Sequence, residues 1–198
     1  MALLAGRTAL VVDTETTGMS PSVGDRLVEV ARVTVADGAI GETWSSLLNP
    51  GRPIPPDATR VHGITDAMVS QAPACRPIGS TLRDACADLP LIFHNSPFDL
   101  PFLVHLFREA GVPPIYNPII DTLGLARGLF TPGGNSLGAL AGKLGLPAEA
   151  AHRALGDAMT TARVFLVLAE RWERDKGVRS LAELAAASQD VMRVTARR

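Results

Sequence analysis

The sequence predicts an α/β fold on a mixed central sheet, a three-strand antiparallel meander plus two further strands, flanked by helices. β-prone apolar runs fill most of the first 48 residues and flank an Asp37-Gly38 turn signal. Two later apolar runs, Leu91 to Phe93 and Pro118 to Ile120, each lead into a helical segment. The longest helical pattern comes last, from about Arg153 to Glu173.

Thr8 to Asp13 is short, apolar and β-prone, and Gly18, Pro21 and Gly24 punctuate a loop after it. Leu27 to Val35 forms the second strand, enriched in β-branched residues. Asp37-Gly38 suits a two-residue hairpin, and Ala39 to Leu48 returns as the third strand before Asn49-Pro50-Gly51. The segment to about Thr65, with Pro53, Pro55 and Pro56, reads as a Pro-rich loop. Helical spacing follows from Ile78 to Leu89, then the buried strand Leu91 to Phe93. Ser96 reads as an N-cap, with Pro97 at N1 and Asp99 at N3, for a helix ending near Ala110. Asp121 is placed to cap a helix to Leu129, and Leu137 to Leu144 is a short helix. Leu181 to Ala187 is a weaker helix, and the Arg-rich end is expected to fray. No repeat or second domain is visible: one domain over 1–173 precedes a helical, basic tail over 174–198.

Composition narrows the class without naming a reaction. The 198 residues are 46% hydrophobic, which excludes intrinsic disorder. No window reaches the ~18 uncharged apolar residues a membrane span needs; the longest uncharged run is broken by Pro132-Gly133-Gly134-Asn135. Met1 to Val12 lacks a basic n-region and is a poor signal peptide. Two cysteines, Cys75 and Cys86, are too few for a disulfide framework. The expectation is a soluble cytoplasmic protein. A net charge of −1 excludes a broad electrostatic grip on long nucleic acid.

Three short segments hold the chemistry. In Asp13-Thr14-Glu15-Thr16-Thr17-Gly18, side chains two apart on a strand share a face, so Asp13 and Glu15 project together. Their mutual repulsion is relieved by a hard cation; a polar strand end with each acid solvated accounts for the pair equally well. In His94-Asn95-Ser96-Pro97-Phe98-Asp99, Asp99 completes a helix cap that needs no function. The same helix start can aim one carboxylate oxygen at a metal. In His152-Arg153-Ala154-Leu155-Gly156-Asp157, a continuous helix would set His152 and Asp157 about 140° apart. A shared site therefore requires His152 in the loop and Asp157 on the helix, with Gly156 leaving room beside it. An exposed loop His and a helix-surface Asp are individually the commoner outcome.

Taken in order, the three segments resemble the DEDDh family of 3′→5′ exonucleases, and within it the proofreading epsilon-subunit branch of bacterial DNA polymerase III. The resemblance runs from about Thr8 to Ala169. It includes Val61-His62-Gly63-Ile64-Thr65, Ile120-Asp121-Thr122-Leu123 and Asn135-Ser136-Leu137. The sister DEDDy group has Tyr four residues before the last Asp, where this chain has Arg153. The resemblance implies a ribonuclease-H-like fold with an exonuclease domain over 1–173. It also implies hydrolysis of terminal phosphodiesters of single-stranded DNA to nucleoside 5′-monophosphates, in proofreading or repair. Two divalent ions, Mg²⁺ or Mn²⁺, are implied, one held by Asp13, Glu15 and Asp157 and the other by Asp13 with Asp99. His152 is implied as the general base. Thr16 and Thr17 would approach the terminal nucleotide, Asp57 and His62 its sugar, and Phe98 a base. Asp57 also reads as an ordinary surface residue, and Phe98 as core.

Two other functions remain open at this point: a 3′→5′ exoribonuclease of the oligoribonuclease or RNase T type, and a non-catalytic polymerase-binding module. Intact residues at all five catalytic positions speak against the module. The implied partners are a single-stranded 3′ end, DNA before RNA, and a DNA polymerase or sliding clamp. Nine aromatic residues leave no long stacking track for a single strand, so distributive action is expected. Gln189-Asp190-Val191-Met192 is faintly similar to a clamp-binding peptide, but such alternation arises easily by chance.

Overall fold

The structure, a computed structural model, describes residues 2–130, 135–147, 149 and 151–196. The Pro132 to Gly134 interruption and the final Arg197 and Arg198 lie outside the described residues. Strand β1 (Thr8–Thr16) lies at the centre of a five-stranded sheet of order β3-β2-β1-β4-β5. It pairs antiparallel with β2 (Leu27–Ala36), which pairs antiparallel with β3 (Ala39–Leu47). Asp37 at φ 52° and Gly38 at φ 75° make the hairpin between them, both in the left-handed region that such a turn requires. On its other side β1 runs parallel to β4 (Leu91–Phe93), which runs parallel to β5 (Ile119–Asp121).

β1 continues three residues beyond the expected end at Asp13. Asp13, Thr14 and Glu15 stay on the ladder opposite Ala31, Val30 and Glu29, because pairing with β2 outweighs the low strand preference of acidic residues. The segment expected as a Pro-rich loop contains α1 (Pro56–His62) and α2 (Asp66–Val69). Pro56 occupies the first turn of α1, where a missing N–H leaves nothing unpaired, and Thr65 caps α2 through Met68 N–H. Helix α3 (Cys75–Cys86) lies three residues upstream of its expected bounds. It stops because Asn117 Nδ2 gathers the carbonyls of Ala87 and Leu89 at 3.0 and 2.8 Å.

Both faces of the sheet are covered. Leu10, Val12 and Val30 pack with α3 and α4 (Ser96–Ala110). Ala9, Val11, Ala31 and Val33 face a larger core built with α5 (Thr122–Leu129), α6 (Leu137–Lys143), α7 (Ala154–Lys176) and α8 (Leu181–Ala196). Alternation along β1 thus sends odd-numbered side chains toward α7 and even-numbered ones toward α4.

The far end of the chain departs from its expectation. α8 runs past Ala187 to Ala196, and Leu184 and Ser188 on it are fully buried. Ser188 Oγ accepts the Asp121 N–H at 3.1 Å and donates to the Ala185 carbonyl at 2.8 Å. Gly124 admits this contact, since a Cβ there would overlap the Ser188 carbonyl oxygen. Within the region expected as a helical, basic tail, Val178, Leu181, Leu184 and Ala185 pack into the core on the α7 side of the sheet. The Gln189 to Met192 segment is helical, and Gln189 reaches the Ile119 carbonyl at 3.5 Å.

Candidate active site

The odd face of β1 that buries Ala9 and Val11 ends in Asp13 and Glu15, where the sheet gives way to an open cleft of about 240 Å³. Asp157 reaches the same place from the first turn of α7. One carboxylate oxygen from each of Asp13, Glu15 and Asp157 lies within 4.8 Å of the others. His152 precedes α7 in the loop with φ 59°, and its N–H donates to Asp157 Oδ2 at 3.0 Å. Loop and helix therefore place the two on one side of the cleft, which a continuous helix would not do.

Asp99 arrives from the other face of the sheet. Its local geometry corrects the expected cap: Asn95, at φ 69° and ψ 54°, is the N-cap of α4, and Ser96 is its first residue. Ser96 donates both its N–H and its Oγ–H to Asp121 Oδ2, each at 2.7 Å, so it is not free to cap. Asp99 closes no capping box and instead accepts the Thr14 hydroxyl at 2.7 Å. Asp121 also accepts from Asn95, Leu123 and Gly124 N–H groups. One buried carboxylate thus holds the starts of both α4 and α5, the position in which helix dipoles favour an anion.

The acids raise one another's proton affinity. Burial, then the charges of Asp99, Asp157 and Glu15, pushes Asp13 well above the usual carboxylate range. Burial, followed by Asp157 and Glu29, raises Glu15 to about 8. Burial raises Asp99 to about 7 against the opposing Thr14 hydrogen bond. Burial raises Asp157 as well, against the His152 N–H. Crowded, desolvated carboxylates of this kind fit a hard divalent cation, whose charge would restore their ionised forms.

The remaining expected residues divide. Phe98 lines the cleft and lies 5.6 Å, centroid to centroid, from Phe102, so it belongs to both core and rim. Thr16 and Thr17 are buried beside the cleft, with their hydroxyls engaged: Thr16 Oγ1 donates to the Gly18 carbonyl, and Thr17 Oγ1 accepts from Arg26 N–H. His62 is buried behind them, with Nε2 3.3 Å from the Thr16 carbonyl and Nδ1 accepting from Ile64 N–H. Burial lowers its pKa, so the neutral ring braces the loop. Asp57 is exposed on α1, paired with Arg60 and outside the cleft lining, because the helix turns it outward. Thr14, Val61, His94 and Leu137, which lay within the quoted motifs but were given no site role, also line the cleft. Sequence reasoning missed Glu29, whose only signal was being the one acid in a strand rich in β-branched residues.

A family model described as exonuclease matches residues 10–165. The DNA polymerase III subunit epsilon of Rickettsia felis is 34% identical over 166 residues, covering 80% of this chain and 72% of that protein. The DNA polymerase III subunit epsilon-like protein of Rhodobacter capsulatus is 44% identical over 167 residues, covering 81% of this chain and 23% of that protein. The chain thus spans under a quarter of that relative's length, and about a tenth of the PolC-type DNA polymerase III of Bacillus cereus that it also matches. Among solved structures, exonuclease X in complex with 5′ overhanging duplex DNA superposes with a TM-score of 0.71 at 29% identity, covering 91% of this chain and 99% of that one. By residue order, sheet topology and site alike, this chain belongs to the exonuclease family, as a nucleic-acid hydrolase of the DNA polymerase III epsilon type on a ribonuclease-H-like fold.

Proposed function

We propose that this chain is a divalent-metal-dependent 3′→5′ exonuclease that releases nucleoside 5′-monophosphates from single-stranded DNA. The observation that carries the proposal is the convergence of Asp13, Glu15 and Asp157 within 4.8 Å. Asp99 and His152 line the same cleft. When bound, two Mg²⁺ or Mn²⁺ ions supply the positive charge that steadies the oxygens of an in-line phosphoryl displacement. Asp13, Glu15 and Asp157 would hold one ion, and Asp13 with Asp99 would hold the other. His152 accepts the proton of the attacking water as general base. Water oxygen would bond to the terminal phosphorus while the bond to the upstream 3′ oxygen breaks; that oxygen takes a proton from solvent to become a 3′-hydroxyl, and a nucleoside 5′-monophosphate departs. Phe98 and Val61 flank the terminal nucleotide, and the Thr16-Thr17-Gly18 turn approaches its sugar and phosphate. Kinship with polymerase III proteins supports a proofreading or repair setting, with a DNA polymerase or sliding clamp as partner.

The test uses 5′-labelled DNA and RNA oligomers with free and blocked 3′ ends, with Mg²⁺, Mn²⁺ or EDTA. Shortening from free 3′ ends only, faster on DNA and abolished by EDTA, is the expected result. Asp157→Ala should lower the rate at least about a hundredfold through loss of metal. Equal loss of blocked substrate, or activity indifferent to metal, would overturn the exonuclease assignment to this cleft.

A further inference from the structure

Glu29, on β2, is a buried acid that belongs to none of the ligand positions. It stands directly opposite Glu15 across the β1–β2 ladder, on the face that carries the site. Like charges facing each other across strands repel, so its retention there requires compensation. The start of α7 supplies it: Arg153 Nε and Nη2 donate to Glu29 Oε2 and Oε1 at 3.0 and 2.7 Å. Ala154 N–H donates to Oε2 at 3.0 Å. Arg153 is the N-cap of α7, and its own side chain makes no capping bond. The helix is therefore capped by a carboxylate from a strand more than a hundred residues away in sequence.

This arrangement meets two physical needs of the site. First, the positive end of the α7 dipole sits beside a place suited to cations, and Glu29 offsets it. Second, a two-pronged Arg–carboxylate grip plus a backbone bond fixes both distance and angle, which a single bond would leave free. The turn so held is the one in which His152 occupies the left-handed region, a conformation that a non-glycine residue keeps only when its surroundings enforce it. Asp157 closes that turn from within through the His152 N–H. Glu29 closes it from the sheet.

We propose that Glu29, acting through Arg153 and Ala154, is a positioning residue that registers the first turn of α7 against β1, so that Asp157 and His152 stand over Asp13 and Glu15. The proposal rests on the exonuclease reading of this cleft, and its consequence is first a property of the cation site. Glu29→Gln removes one charge from the site, whereas Arg153→Met exposes one. Simple field effects therefore predict opposite signs for Mn²⁺ affinity, weaker in the first and tighter in the second. Positioning predicts weakening in both.

The experiment titrates the full chain with Mn²⁺ alone by calorimetry, for the wild type, Glu29→Gln, Arg153→Met and Arg153→Lys. Thermal unfolding and hydrogen exchange over residues 151–160 accompany it. The expected result is a 10–100-fold loss of Mn²⁺ affinity in Glu29→Gln and Arg153→Met, partial recovery in Arg153→Lys, and faster exchange at the α7 start. On a DNA oligomer, kcat falls in parallel while KM stays within about twofold. Tighter Mn²⁺ binding by Arg153→Met, or unchanged affinity and exchange in folded variants, overturns the proposal. Should Glu29→Gln fail to fold, the Arg153 variants decide alone. Mn²⁺ affinities that follow the expected order in a wild type without exonuclease activity would retain the positioning role and reject the function.

Discussion

Asp157 illustrates how one side chain can serve geometry and chemistry together. Its Oδ2 holds the His152 N–H, and it still offers a carboxylate oxygen within 4.8 Å of those of Asp13 and Glu15. Thr14 does similar work for Asp99, whose pKa its hydroxyl lowers against burial. Thr14→Val should therefore move the acidic limb of the pH–rate profile to higher pH, read from rates across a pH series. An unshifted limb would remove Thr14 from the site. The crowded carboxylates also tie stability to pH. Glu15 rises from 4.5 to about 8 in the folded chain, so between those values the folded state holds a proton that the unfolded state releases. In EDTA, stability should fall as pH rises through this window, by at most a few kcal/mol, and level off above it. Divalent metal should reverse the trend. Urea denaturation at pH 5, 7 and 9, with and without Mg²⁺, measures both effects. At this scale the shared face of Asp13 and Glu15 was legible from the spacing along β1, whereas Asp99, His152 and Asp157 were joined to them through the resemblance of three motifs in order, and the structure places all five at one cleft. Thr14 and Glu29 were not legible, because their partners lie 85 and about 124 residues away.

Between elements, Asp121 is the joint on which the site depends. Five hydrogen bonds from Asn95, Ser96, Leu123 and Gly124 converge on its buried carboxylate, tying α4, and with it Asp99, to β5 and α5. Asp121→Ala should destabilise the protein by about 3 kcal/mol or more, since several buried N–H groups lose their acceptor. Chemical denaturation measures the loss, and a change under 1 kcal/mol would contradict the account. Gly124→Ala should destabilise as well, by roughly 1–3 kcal/mol, because its Cβ would collide with the α8 backbone. The strands and the long helices were visible in hydrophobic periodicity. α1 and α2 were hidden by prolines that stand where a helix tolerates them, and the true cap of α4 by a serine already committed to Asp121.

For the whole molecule, the consequential feature is α8. Leu184 and Ser188 are fully buried against the rest of the domain, and the helix covers α5 and β5, the outer strand on that side of the sheet. Ending the chain after Lys176 should expose this apolar face, lower the melting temperature by roughly 10 °C or more and promote aggregation. Circular dichroism and dye binding would detect this, and a cooperative melt at the wild-type temperature would refute it. Among the described residues no helix is long and apolar enough to cross a membrane. The net charge of −1 and nine aromatic residues offer a single strand neither a broad electrostatic grip nor a long stacking track. Under single-hit conditions the isolated chain should accordingly yield a ladder of intermediates, whereas uninterrupted degradation would reveal a track outside the cleft.

Local spacing was enough to set the α/β class and the strand that bears Asp13 and Glu15, because periodicity within a few residues is displayed directly by a sequence. The family followed instead from the order of three motifs spread along the chain, and that order is also carried by the sequence. Only folding could decide that Glu29 faces Glu15 and caps α7, that Asp121 joins two helix starts, that Asp57 turns away from the cleft, and that the last helix belongs to the core. Each of these depends on distant chain segments meeting, where the pairing of buried polar groups outweighs local preference.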